Sequence, residues 1–560
     1  MTRWLIAAAV AVWLGAMVGR PAVLAQSRTT TTAAEESGQA SADPVAAHTG
    51  VAFATSDNCL ACHNGLVAPS GEDVSIGIAW RASMMANSSR DPYWQAAVRR
   101  ETIDHPTKRA AIEDECATCH MPMAHTVARA AGGRTEVFAL ASAAKEVSEA
   151  QRLAADGVSC TLCHQIGPER LGTRESFVGG FVIGGRQSEE EGLRILGPFD
   201  VDDGRRAIMR SSAGATPVKA AHLRDSELCA TCHTLYTEAL GPDGGVIGTL
   251  PEQVPYLEWR QSAFAKERTC QSCHMPDVES APIASVLGEP RDRFARHTFL
   301  GGNFFMLRML NRFRGELGVV APPQELEAAA QATLRQLQSE TAAIAIERAV
   351  VAADRLEAEV TVRNLTGHKL PTGYPSRRTW LHVTVRDAEN RVLFESGGVR
   401  PDGRITGNDN DEDGARVEPH YELVRAADEV QIYEAIMAGP DGRVTTGLLQ
   451  ATQFVKDNRL LPDGFDKRTA DADTAVRGEA SSDGSFTGGR DSVRYSVPVA
   501  GGAGPFTIDV ELRYQPIGYR WAENLRRYDA AEPRRFVSYY EAMASSSSTV
   551  LSKASSRVSR

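Results

Sequence analysis

A chain of 560 residues, 42% hydrophobic and 24% charged, is long enough for two or three domains with cores of their own. Its 71 acidic residues against 61 basic ones leave a formal charge of −10, which argues against nucleic acid as a partner and suits docking to a basic protein.

In chain order, residues 1–25 (MTRWLIAAAVAVWLGAMVGRPAVLA) have a basic start at Arg3, an apolar core from Trp4 to Val18, and small Val23 and Ala25 before a cut. The apolar run falls short of the roughly 20 residues a membrane span needs, so a cleaved export signal is favoured over an uncleaved anchor. No later segment is apolar enough to cross a bilayer. Residues 26–50 are polar and low in complexity, a flexible leader. The expected destination is the periplasm or cell surface.

All ten cysteines then fall in five C-x-x-C-H pentapeptides: Cys59, Cys62, His63; Cys116, Cys119, His120; Cys160, Cys163, His164; Cys229, Cys232, His233; and Cys270, Cys273, His274. Two thiols at this spacing reach the two vinyl groups on one porphyrin edge, and the next histidine is placed beneath the iron. Zinc gives no reason for a histidine at that position every time, and five pairs do not divide into four-ligand clusters. A thioredoxin-like dithiol uses one C-x-x-C, and a secreted disulfide framework shows irregular spacings. Five covalent c-type haems are therefore expected.

The first cysteines are 57, 44, 69 and 41 residues apart, too close for a separate small domain per haem, so the haems must share walls. This gives a mostly helical and loop pentahaem domain at 51–300, with helices in DPYWQAAVRRETI (91–103) and SAAKEVSEAQRLAADG (142–157, stopped by Gly157). Residues 176–190 read as a surface excursion. Two helices from Asn303 and Pro322 form a connector at 301–342. From 343 the period becomes two: LEAEVTVRN, LHVTVRD and FTIDVELRYQ alternate apolar and polar residues, with turns at Pro401-Asp402-Gly403 and Pro440-Asp441-Gly442. The expected fold is α+β, with an antiparallel β-sandwich at 343–525 and a terminal helix and flexible Ser-rich tail at 526–560.

Eight histidines remain to act as second ligands. His382 lies on the polar face of a strand, His48 sits in the leader, and His105 precedes a proline and is a reserve. His125, five residues past His120, suits a neighbouring haem better than its own. His222 is seven residues before Cys229, and His297 stands beside a glycine pair. His368, in NLTGHKLPTGYPSRR between two strands, would bring a ligand from the β region to a haem of the first half. Met84 and Met85 are either core filling or a ligand.

The C-x-x-C-H motif followed by W-x-x-S-x-[ligand]-A, together with the CHMP tetrapeptides, resembles the cytochrome c-554/c-552 type of multihaem cytochrome, related in haem arrangement to hydroxylamine oxidoreductase, over residues 55–300. Where that family often carries S-x-H-A, this chain has Ser83-Met84-Met85-Ala86, and the resemblance puts Met85 in the ligand position. The segment GHKLPTGYPSRRTWL resembles a β domain of bacterial multihaem cytochromes. The expected distal set is Met85, His125, His222, His297 and His368, one for each iron. An electron relay between redox partner proteins follows, with self-assembly compatible. The alternative is an oxidoreductase acting on a small nitrogen or sulfur compound at a five-coordinate haem; the C-x-x-C-K variant of nitrite-reductase haems is absent. Finally, Asp409, Asp411 and Asp413 before Gly414 resemble the start of a calcium loop, although the twelfth position holds His420 instead of glutamate. A solvated acidic loop is the plain alternative.

Overall fold

Asp91 starts the helix Pro92–Asp104: its carboxylate accepts from the N–H groups of Tyr93 (2.8 Å) and Trp94 (3.2 Å), and Pro92 supplies a first position that needs no donor. The computed structural model describes residues 51–141, 146–184 and 192–559, so the signal and leader expected over 1–50, His48 and part of the glycine-rich excursion lie outside the described residues. Helix Arg109–His120 carries the second C-x-x-C-H motif to its C-terminal turn, and helix Pro122–Ala130 follows immediately. Helix Glu149–Ala155 opens with a Ser148–Gln151 capping box.

The first half also holds three two-stranded ribbons that period reading did not find. These are parallel β1 (Leu193–Gly197) and β2 (Ala215–Lys219), and antiparallel β3 (Leu235–Leu240) with β4 (Val246–Gln253) and β5 (Asp277–Pro282) with β6 (Pro290–Ala295). Helices Phe304–Arg312 and Pro323–Glu340 then pack on each other.

Two larger sheets follow. One takes the order β11-β14-β8-β7: Leu423–Val424, Arg490–Pro498, Arg355–Asn364 and Ala342–Ala352. The other runs β13-β12-β9-β15-β16: Gln453–Asp457, Ile432–Ala438, Arg378–Arg386, Phe506–Gln515 and Thr549–Val558. β10 (Val392–Ser396) also pairs with β9. The alternating residues expected to point inward do so: Leu356, Val360 and Val362 of β8, Leu381, Val383 and Val385 of β9, and Ile508, Val510 and Leu512 of β15 share one buried cluster. Each fully buried aliphatic side chain of this kind contributes about 1.5–3 kcal/mol before chain entropy is charged.

The tail expected to be flexible is instead a strand. β16 runs antiparallel to β15, from Thr549 opposite Tyr514 to Val558 opposite Phe506, and Ser552 Oγ accepts from the Ile344 N–H of β7 at 3.3 Å. Its serines and charges hid it, because only Leu551 and Val558 are buried. Among the described residues no helix is long and apolar enough to cross a membrane.

Candidate functional site

All ten cysteines and all five motif histidines line one cavity of about 1940 Å³. A pocket for one drug-sized ligand spans about 300–1,000 Å³, so this volume serves several large groups at once.

Four of the five histidines are held alike. Nδ1–H of His63 donates to the Ile283 carbonyl (2.5 Å), His120 to Ser88 (3.1 Å), His164 to Leu196 (2.6 Å) and His274 to Leu300. A carbonyl only accepts, so the proton sits on Nδ1 and the Nε2 lone pair is directed elsewhere, as a metal ligand requires. Burial pushes His120 and His233 down to about 4 and lowers His164, which keeps these rings neutral. Trp94 stacks on His120, with centroids 4.4 Å apart.

His297 and His368 share this pattern, with Nδ1 on the carbonyls of Ala295 (3.0 Å) and Lys369 (2.9 Å). Burial pushes them down to about 3 and about 4. His297 faces His164 with centroids 6.4 Å apart and planes 18° from parallel; His368 faces His274 at 6.2 Å and 15°. An imidazole nitrogen sits about 2 Å from a coordinated transition metal and about 1.2 Å from its own ring centre, so two imidazoles across one iron have centroids about 6.4 Å apart. Both pairs fit an iron between them. Met84 and Met85 also line the cavity.

Two expected ligands lie off the cavity. His125 does not line the cavity: its Nδ1 lies 3.3 Å from Asp114 Oδ1 and its Nε2 3.3 Å from Thr118 Oγ1, because helix Pro122–Ala130 folds back on the helix before it. His222 donates from Nε2 to the Ile166 carbonyl at 2.8 Å. The reserve, His105, is also off the cavity, with a buried Nε2 that lacks a partner. Replacing His125 by alanine is therefore expected to leave the haem spectrum and spin state of the purified protein unchanged; loss of a low-spin signal would restore it as a ligand.

The calcium expectation is not met either. Asp411 is buried and bidentate on Arg378 (2.7 and 2.9 Å), Asp409 pairs with Arg416, and Asp413 accepts from the Ala415 N–H. Among the described residues these three carboxylates do not gather into a metal-sized cluster. His420 is spoken for as well: its Nε2 meets Asp483 at 3.0 Å, and Gln431 and Asn458 donate to Nδ1. His382, expected on a polar face, meets Glu395 at 2.9 Å.

Sequence reading missed what holds His368 in place. Glu258, on helix Pro255–Arg260 and fully buried, accepts from the Lys369 N–H (3.1 Å) and the Thr372 hydroxyl (2.5 Å), and its other oxygen lies 2.9 Å from Arg459. Arg459 and Lys369 both bind Asp457. Burial would raise Asp457, but the two cations outweigh it and hold the carboxyl at about 2. Gly367 completes the approach: a side chain there would press on Trp259 and Phe264 at 3.3 Å.

The motifs are also neighbours. The adjacent thiol and burial together raise Cys160 beside Cys59, Cys119 beside Cys232 and Cys229 beside Cys270.

A solved structure described as a penta-heme cytochrome c552 from Thermochromatium tepidum superposes with a TM-score of 0.50, covering 90% of this chain and 98% of that one at 16% identity. The fold is that of a multihaem cytochrome. No protein-family model matches the chain, and no curated protein sequence does.

Proposed function

We propose that the chain is an exported pentahaem c-type cytochrome that relays single electrons between redox partner proteins in the periplasm or at the cell surface. The observation that carries this reading is the pair of facing imidazoles, His164–His297 and His274–His368, each spaced for one iron inside a cavity lined by five C-x-x-C-H motifs. The ten cysteines hold the porphyrins and His63, His120, His164, His233 and His274 take the proximal positions. Met85 is the remaining distal candidate from the sequence, and it lines the same cavity. When bound, haem supplies one-electron chemistry between ferric and ferrous iron. The chain's own work is to space the groups, keep the histidines neutral and exclude water.

The two large sheets, read as a β-sandwich, serve as the scaffold that delivers His368; self-assembly through this region is compatible.

A second reading has its own observation. Among the described residues no imidazole faces His63, His120 or His233 as His297 and His368 face their partners. An iron left open there would suit an oxidoreductase acting on a small nitrogen or sulfur compound. Haem counting by pyridine haemochrome, followed by carbon monoxide added to the anaerobically reduced protein, separates the readings. Five haems and an unchanged spectrum support the relay. A shift of about one fifth of the haem absorbance per open iron favours the enzyme. A count other than five overturns the cofactor assignment.

A further inference from the structure

The cavity wall near the second C-x-x-C-H motif contains a group of polar side chains that neither attachment nor ligation uses. Glu101 and Glu252 are each 4% exposed, and both line the cavity with Tyr93 and Tyr374. The two tyrosine hydroxyls are 3.4 Å apart. Glu101 Oε1 accepts from the Leu448 N–H at 2.9 Å, but its Oε2 is buried without any partner. Glu252 accepts from the Thr237 hydroxyl at 2.5 Å and makes a long contact to Gln253. Both carboxyls are within electrostatic reach of Cys116 and of each other.

The opposing charges are few. Arg100, on the same helix, is the cation beside Glu101, but its Nη1 donates to Thr446 and its Nε lies 3.7 Å from Asp104. Helix Arg109–His120 contributes Glu115, which is itself raised by burial and by Glu238 on β3; Glu238 is exposed. An unpartnered buried carboxylate is costly, and burying it as the neutral acid removes most of that cost.

We propose that Glu101 and Glu252, with Tyr93 and Tyr374, form a proton-binding site coupled to reduction of the haem carried by Cys116 and Cys119. The inference rests on the haem reading above. The step balances as ferric haem, one electron from a partner protein, a carboxylate and one proton from solvent giving ferrous haem and a carboxylic acid. The electron lowers the local potential, and in a low-dielectric wall the nearest carboxylate answers by taking the proton. Burial, then the nearby Glu101 charge, raise Glu252 to about 7.

The sign follows. Below about pH 7 the site holds its proton in both redox states, and the potential is flat. Above it, reduction takes up a proton, so the potential falls as pH rises. A tenfold loss of proton activity weakens reduction tenfold, about 59 mV for one electron.

Spectroelectrochemical titration of the purified holoprotein from pH 6 to pH 9, with haem counted on the same sample, tests this. One of the five potentials should follow that slope above pH 7, and Glu252→Gln and Glu101→Gln should flatten it. Redox-difference infrared spectra of the parent protein should show a deuterium-sensitive carboxylic-acid carbonyl band on reduction, which Glu252→Gln removes. Haems present with five pH-independent potentials, or a slope and band that survive both substitutions, would overturn the proposal. Absence of haem would instead remove the reading beneath it.

Discussion

Replacing His368 by alanine should leave the haem count at five and convert one iron from six- to five-coordinate. The ring is buried, its Nδ1 is fixed on the Lys369 carbonyl, and no other imidazole among the described residues faces His274. Alanine leaves a void opposite His274 wide enough for a small gas. Carbon monoxide added to the reduced variant should therefore shift about one fifth more of the haem absorbance than in the parent. Electron paramagnetic resonance of the oxidised protein should show one low-spin signal replaced by a high-spin one. His297→Ala should do the same at His164, and the two changes should add, because the sites are separate. An identical gas response in parent and His368→Ala would mean that His368 does not ligate.

Removing Glu258 should loosen the same ligand from a distance. Its carboxylate accepts from the residue after His368 and from Thr372, and it balances Arg459. Glu258→Ala leaves two buried cations on Asp457 alone, an imbalance that costs about 3–5 kcal/mol when one partner of a buried pair is lost. A lower thermal midpoint and a partial high-spin signal are expected together. Glu258→Gln keeps the shape and can still accept from Lys369 and Thr372, so it should retain more low-spin haem than alanine at comparable loss of stability. If both variants lose stability with the spin state intact, the cluster is a plain structural lock.

The attachment motifs were legible because their chemistry is local: two thiols and an imidazole must lie within five residues of one another. The strands around Val360, Val383 and Val510 were legible for a similar reason, since burial of alternate residues writes itself into the period. The second ligands depend on folding over long separations. Nothing near His125 or His222 announces that Asp114, Thr118 and the Ile166 carbonyl claim their nitrogens. His297 and His368 differ from them in where the fold sets the ring, opposite His164 and His274 with Nδ1 on a backbone carbonyl. β16 was hidden because sheet pairing there satisfies the backbone while leaving most side chains exposed.

The order of the larger sheet bears on how the protein matures. β9, which follows the His368 loop, lies between β12 and β15, and Leu381 finds its register partner only at Leu512. A chain emerging from its N-terminus presents all ten cysteines long before that pairing can close. On the proposed reading, haem attachment at Cys270 and Cys273 would precede the scaffold of His368, and sheet closure would then bring that imidazole opposite His274.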